Sequence, residues 1–126
     1  MNIVYKLIII SVLFILIDYF YLSNISNYFN NQVNLIQNSP ITLDFISAGL
    51  CYFFLVFGLY YFILKDKKSP LEAFLFGLII YMVFETTNKA LFKNWKWTTV
   101  LIDGIWGGIL YYSITTIYYY IENNYK

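Results

Sequence analysis

The sequence predicts an all-α fold, an integral membrane four-helix transmembrane bundle that forms a single domain over residues 1–126. Three observations predict it. The chain is 60% hydrophobic and only 12% charged, with a mean hydropathy of +0.62, which is more apolar surface than a chain of 126 residues buries in water. It contains four apolar runs of about 20 residues, each long enough to cross a hydrocarbon core as a helix. Its aromatic fraction of 23%, mostly Tyr and Phe, suits a bilayer, where amphipathic rings settle at the interfaces and Phe faces acyl chains.

The first span covers residues 3–22. A secretory signal is the rival reading because Lys6 precedes the apolar stretch, but Asp18 interrupts that stretch and Ser23-Asn24-Ile25-Ser26 lacks a small-x-small cleavage site. Residues 23–39 are rich in Asn and free of Lys, with Ile25, Phe29, Val33 and Ile36 at helical spacing. That pattern fits a short helix lying at the interface or an ordinary loop. Pro40 opens the second span, residues 42–64, with Asp44 near its start, since the first turn of a helix tolerates proline. Lys65-Asp66-Lys67-Lys68 then makes a charged turn. Ser69-Pro70-Leu71-Glu72 reads as a capping box that starts the third span, residues 71–92. A second turn, Lys93 to Trp97, leads into the fourth span, residues 98–121, and a polar tail from Glu122.

Four spans put both termini on one side. Lys6, Lys65, Lys67, Lys68 and Lys126 lie on that side, against Lys89, Lys93 and Lys96 opposite, so the positive-inside bias favours cytoplasmic termini for a multi-pass protein. The lipid bilayer is the partner the composition implies. A net charge of +1 with no basic stripe excludes nucleic acid. The absence of His removes His-dependent nucleophiles, His-ligated zinc and imidazole proton relays. Any metal would have to be a hard cation on oxygen ligands, and no motif implies a metal site or a cofactor. Cys51 is the single cysteine; it forms no internal disulfide and reads as a small buried hydrophobe.

The antiparallel order brings the end of span one, the start of span two, the end of span three and the start of span four to one membrane face. Asp18, Asp44, Glu85, Asn88, Lys89 and Asp103 are therefore expected together in the outer half of the bundle. From the helical rise, Asp18, Glu85 and Asp103 lie roughly 6 to 10 Å below the helix ends, and carboxylates are too short to snorkel from there. Gly77, Tyr81, Glu85 and Asn88 share one helix face, with Lys89 one turn from Glu85 and able to pair with it. Asp103, Trp106, Gly107 and Leu110 share another, on which Trp106 offers one N–H donor beside the acids. Gly104 and Gly108 form a small-xxx-small pair that lets a neighbouring backbone approach closely. The two hairpins rhyme weakly, with Asp18 and Asp44 in the first and Glu85 and Asp103 in the second.

The candidate ligand-binding residues are therefore Asp18, Glu85, Asn88, Lys89, Asp103 and Trp106, and the candidate helix-packing residues are Gly77, Gly104, Gly107 and Gly108. Four carboxylates against one deep lysine is an unbalanced set, so at least one acid is expected to hold a proton or a cation. Ionisable groups inside a membrane usually mark function, whereas a hydrogen-bonded polar core would merely fix helix order. Three classes of function fit. One is a small transport or binding protein with an outer cavity that handles a proton, a cation or a small ligand. Another is an intramembrane lipid-modifying enzyme with Glu85 or Asp103 as general acid or base. The third is a non-catalytic assembly protein that forms a homo-oligomer through Gly104 and Gly108.

The stretch Phe84-Glu85-Thr86-Thr87-Asn88, Trp95, Asp103 and Trp106-Gly107 resembles the bacterial membrane proteins grouped as domain of unknown function 2177. Their pattern is an aromatic, Asp, an apolar residue and Thr-Asn, then a Trp after a short gap, then Asp followed by Trp-Gly. Ile17-Asp18-Tyr19-Phe20-Tyr21-Leu22 is similar to the family's opening Leu-Asp-x-x-Trp-Leu, and Gly77 and Tyr81 match as well. The resemblance covers essentially the whole chain. Its departures are Glu85 for Asp, Thr86 for an apolar residue, Lys96 for the proline after the Trp, and Tyr21 for Trp; Glu for Asp keeps the charge and lengthens the arm. The resemblance implies a four-helix integral membrane protein and carries no activity.

Overall fold

A computed structural model describes residues 1–125, which form four helices and, among those residues, no strand. Lys126, one of the lysines in the sequence-level charge bias, lies outside the described residues. The helices are α1 (Ile3–Gln37), α2 (Phe45–Leu64, whose last turn widens to a π-helix over Tyr60–Leu64), α3 (Pro70–Leu91) and α4 (Trp97–Tyr125). All four are long and apolar enough to cross a membrane.

The 35 residues of α1 span ~52 Å at the helical rise, well beyond a hydrocarbon core of ~30 Å. Residues 23–37 are thus neither a loop nor a separate surface helix but a continuation of α1. Nothing in them breaks a helix before Asn38, which ends α1 at a left-handed φ of 58°. Ile25, Phe29, Val33 and Ile36 are partly buried along this stretch. Polar contacts fix that overhang: Tyr28 Oη and Thr99 Oγ1 are 2.9 Å apart, and Gln32 Nε2 donates to the Asn94 carbonyl at 2.7 Å. Gln32 Oε1 in turn accepts from Lys96 N and Thr99 Oγ1.

Helix α2 starts later than Pro40. Asp44 is its N-cap, with Oδ1 accepting from the backbone N–H of Ile46 at 3.1 Å and Ser47 at 3.2 Å, a role a proline ring cannot fill. These hydrogen bonds, those of Ser47 foremost, hold the exposed Asp44 carboxyl below the ordinary carboxylate range. The capping box at the start of α3 is complete: Ser69 Oγ accepts from Glu72 N at 3.2 Å and Glu72 Oε2 accepts from Ser69 N at 3.0 Å. Helix α4 does not stop at a polar tail. It continues to Tyr125 because Glu122 turns inward and is buried.

Helices α3 and α4 form the tightest pair, antiparallel and nearly backbone to backbone. Gly77 faces the Gly107 carbonyl, and a Cβ on Gly77 would lie 2.7 Å from Tyr111 Cγ, closer than real Cβ atoms come. Helix α1 runs antiparallel along α4, with Phe14 edge-on to Tyr111 at 5.4 Å between ring centroids. Helix α2 joins this core mainly through its second half, with Val56, Leu59, Ile63 and Leu64 buried, and through Tyr52 of its first half. Its first half stands off the bundle: Phe45, Ile46, Phe53 and Phe54 are exposed, and so is Cys51. Cys51 is therefore not a buried hydrophobe, because neither α3 nor α4 covers that half of α2. At the opposite end of the bundle the two ends of the chain meet, where Lys6 Nζ lies 3.8 Å from Glu122 Oε2 and Lys67 pairs with Glu122 Oε1.

Candidate functional site

Three helices carry carboxyl groups into the half of the bundle that holds the 92–96 turn. Asp18 on α1 is buried and has both oxygens served: Trp106 Nε1 of α4 donates to Oδ1 at 3.1 Å, and the Tyr52 hydroxyl of α2 donates to Oδ2. Tyr21, three residues on and so on the same face of α1, donates to Asp103 Oδ1 at 3.2 Å. The Tyr21 ring stacks on Trp106 with centroids 4.4 Å apart and planes 5° from parallel. Glu85 of α3 is 0% exposed. Its Oε1 accepts from Trp95 Nε1 at 2.9 Å, while Oε2 is buried with no hydrogen-bond donor. The Asp103 carboxyl lies within hydrogen-bond reach of Glu85. The Gly77–Gly107 approach brings them together, since it sets α3 and α4 close enough for two short acids to meet.

Every donor to this cluster is a neutral indole N–H or phenol O–H. Among the described residues the ion pairs all belong to Glu122, at the far end of the bundle. Again among the described residues, no group of three or more His, Cys, Asp or Glu side chains is placed to hold a metal ion. The arrangement offers hydrogen-bond acceptors in excess of donors, in a place where water is scarce and an unpaired polar group is costly.

Of the candidate residues, the structure brings Asp18, Glu85, Asp103 and Trp106 together. Asn88, one turn beyond Glu85, is half-buried, and no hydrogen bond of its side chain joins the cluster. Lys89 makes no ion pair with Glu85; its ammonium lies 5.5 Å above the exposed Trp97 ring. A long arm near a helix end reaches the interface, so it turns outward. Asp44 stays outside the bundle as the α2 cap, which removes the rhyme between the two hairpins. Gly104 and Gly108 face Met82 and Phe74 of α3 in the same chain. Tyr21, Tyr52 and Trp95 were not in the candidate set. Tyr21 is legible from its three-residue spacing to Asp18 and Trp95 from its place in the family-like stretch, whereas Tyr52, in the middle of a span, carries no local signal.

One cavity approaches the cluster from the side. A cavity of about 200 Å³ lined by Cys51, Leu55, Ile80, Tyr81, Phe84 and Asp103 opens between α2 and α3. The end nearest the 92–96 turn is closed by the α1 overhang, through the contacts of Tyr28 and Gln32, and by the buried Trp95. A separate cavity there, about 140 Å³, is lined by Tyr28, Asn31, Gln32, Leu35 and Lys96 and touches none of the three acids.

The model of a protein family described as Predicted membrane protein (DUF2177) matches residues 3–120. The chain belongs to this family. The match takes in α1, α2, α3 and α4 as far as residue 120, with each of Asp18, Glu85, Asp103 and Trp106, and it stops before Glu122. No curated protein and no solved structure matches the chain. This DUF2177 member is thus a multi-pass membrane protein by family and by its four spans, and its chemistry has to be read from its own residues.

Proposed function

We propose that this DUF2177 protein is a small binding or transport protein whose site is the cluster of Asp18, Glu85 and Asp103. The ligand is a proton, a cation or a small molecule with a cationic or hydroxylated head. One observation carries this reading: Glu85 Oε2 is buried, has no donor and sits beside a second carboxyl. A core kept only for stability pairs nearly all such atoms, because each unsatisfied one costs about 1–3 kcal/mol. Here the missing partner is a hydrogen, either shared with Asp103 or brought by a ligand. With Lys6, Lys65, Lys67 and Lys68 at the end where the chain termini meet, we place that end in the cytoplasm and the carboxyl cluster in the outer half of the membrane.

The assembly alternative has less support, since Gly104 and Gly108 are already covered by α3. The test is the thermal stability in detergent of Glu85→Gln and Asp103→Asn beside the parent. Each amide keeps an acceptor oxygen and supplies the missing N–H, so unchanged or raised stability is expected, as is common when a functional acid in a costly environment is neutralised. A loss above about 2 kcal/mol for both variants would make the cluster a structural core and end the binding reading.

A further inference from the structure

We infer that the ligand is an amphiphile with a hydrogen-bond-donating head, a hydroxyl or an ammonium on an apolar chain, which reaches the carboxyls from within the bilayer through the cleft between α2 and α3. This inference rests on the binding reading above. Asp103 lies in the cleft, and Cys51, Leu55, Ile80, Tyr81 and Phe84 make its remaining walls almost wholly apolar. Of its lining, Cys51 of α2 and Phe84 of α3 are exposed, and each lies inside a membrane-spanning helix. The mouth therefore meets acyl chains and not water.

The route from the aqueous side is closed by Gln32, which bridges the Asn94 carbonyl, Lys96 N and Thr99. A volume of about 200 Å³ takes a head group and a few carbons, leaving the rest of the chain along the exposed faces of α2 and α3. The head must donate, because the group it meets in the cleft is a carboxyl, Asp103, next to the Glu85 carboxyl whose buried Oε2 has no hydrogen-bond partner. It must not be a phosphate, because the three carboxyls have no cation among the described residues to offset an anion. The first half of α2 is well placed to yield. It is tethered mainly by the Tyr52 hydroxyl to Asp18 and by the Tyr111 hydroxyl to the Leu55 carbonyl at 3.1 Å, while Phe45, Ile46, Leu50 and Phe54 touch little.

The test uses the full chain in phosphatidylcholine vesicles and two photoreactive probes, a long-chain alkanol and a long-chain alkylamine, each with a diazirine near the head. Sites of attachment are read by mass spectrometry. Labelling is expected in residues 51–55 and 80–84, in competition with excess unmodified alkanol or alkylamine but not with phosphatidic acid. The arm that labels and competes better identifies the head as hydroxyl or ammonium. Leu55→Trp, which fills the cleft, is expected to cut labelling about tenfold; the competition in the parent decides the matter if that variant fails to fold. Labelling spread evenly over lipid-facing residues, or unmoved by either competitor, overturns the inference. A thermal shift of the parent with methylammonium that Glu85→Gln abolishes, without cleft labelling, overturns the lateral amphiphile and leaves the binding reading standing. Absence of both responses overturns both.

Discussion

Two regions of this bundle bury carboxyl groups, and they solve the problem in opposite ways. At the end where the chain termini meet, Glu122 is surrounded by complementary charge: Lys67 and Lys6 from two other segments, with the Tyr118 hydroxyl donating at 2.9 Å. At the other end, Asp18, Glu85 and Asp103 are held by Trp and Tyr donors alone, and one oxygen of Glu85 has none. The first is a clamp that ties α1, the α2–α3 turn and α4. The second is left short of a hydrogen by the same packing that could have excluded it, and in a low-dielectric setting such a shortage is maintained only at a cost. The complete pairing of Glu122 fits a group kept for the fold, and the unpaired oxygen of Glu85 is what the proposed binding function rests on.

The largest effect is expected where the two regions are joined. Gly77→Leu drives a side chain into the Gly107 carbonyl and Tyr111 and should lower stability by ~3 kcal/mol or more, damaging both regions together; the melting midpoint and the yield of folded protein in detergent check it. Next, Glu122→Leu should destabilise by ~2 kcal/mol, because Tyr118 loses its acceptor. The loss stays below that of a fully buried pair because Lys6 and Lys67 are partly exposed and retain access to water. Glu85→Gln sharpens the contrast by reversing the sign, with a gain of up to ~1 kcal/mol expected in the same melting measurement. A loss as large as that of Glu122→Leu would make the two regions alike. Lys6→Met should cost no more than ~0.5 kcal/mol, and less in high salt, since this contact is long and half-solvated.

Asp44 serves as an exposed reference carboxyl, and the smallest effect is expected there. Its folded value lies below the ordinary 3.8, chiefly through hydrogen bonding by Ser47. Its contribution is therefore complete above the ordinary value and is lost as the pH falls through the lowered one. Hydrogen exchange at the Ile46 and Ser47 amides should accelerate only below about pH 4, with the rest of α2 unchanged. Acceleration at neutral pH would mean that the cap is not formed.

Much of this was legible in the chain because it depends on local spacing. The capping box at Ser69 and Glu72, the depth of Asp18, Glu85 and Asp103, and the shared face of Asp103 and Trp106 all follow from the helical repeat. The direction of Lys89 did not follow, because spacing permits a pair with Glu85 but a long arm near a helix end has a wetter choice over Trp97. Nor did Trp95, whose ring is brought to Glu85 by a turn, or Glu122, whose partners come from segments distant in sequence. Residues 23–37 were readable as amphipathic, but only the contacts of Tyr28 and Gln32 show which surface they cover.

The sequence by itself determined that this membrane protein has four helices long and apolar enough to cross a bilayer and carries acids within three of them, because hydropathy and helical rise are properties of short stretches. Tertiary structure alone decided which acids meet, which oxygen stays unpaired and where a cavity lies beside them. Those outcomes depend on the distance between helices, set by Gly77 against Gly107, and on the first half of α2 standing clear of α3. Neither is encoded in the spacing of residues along one helix.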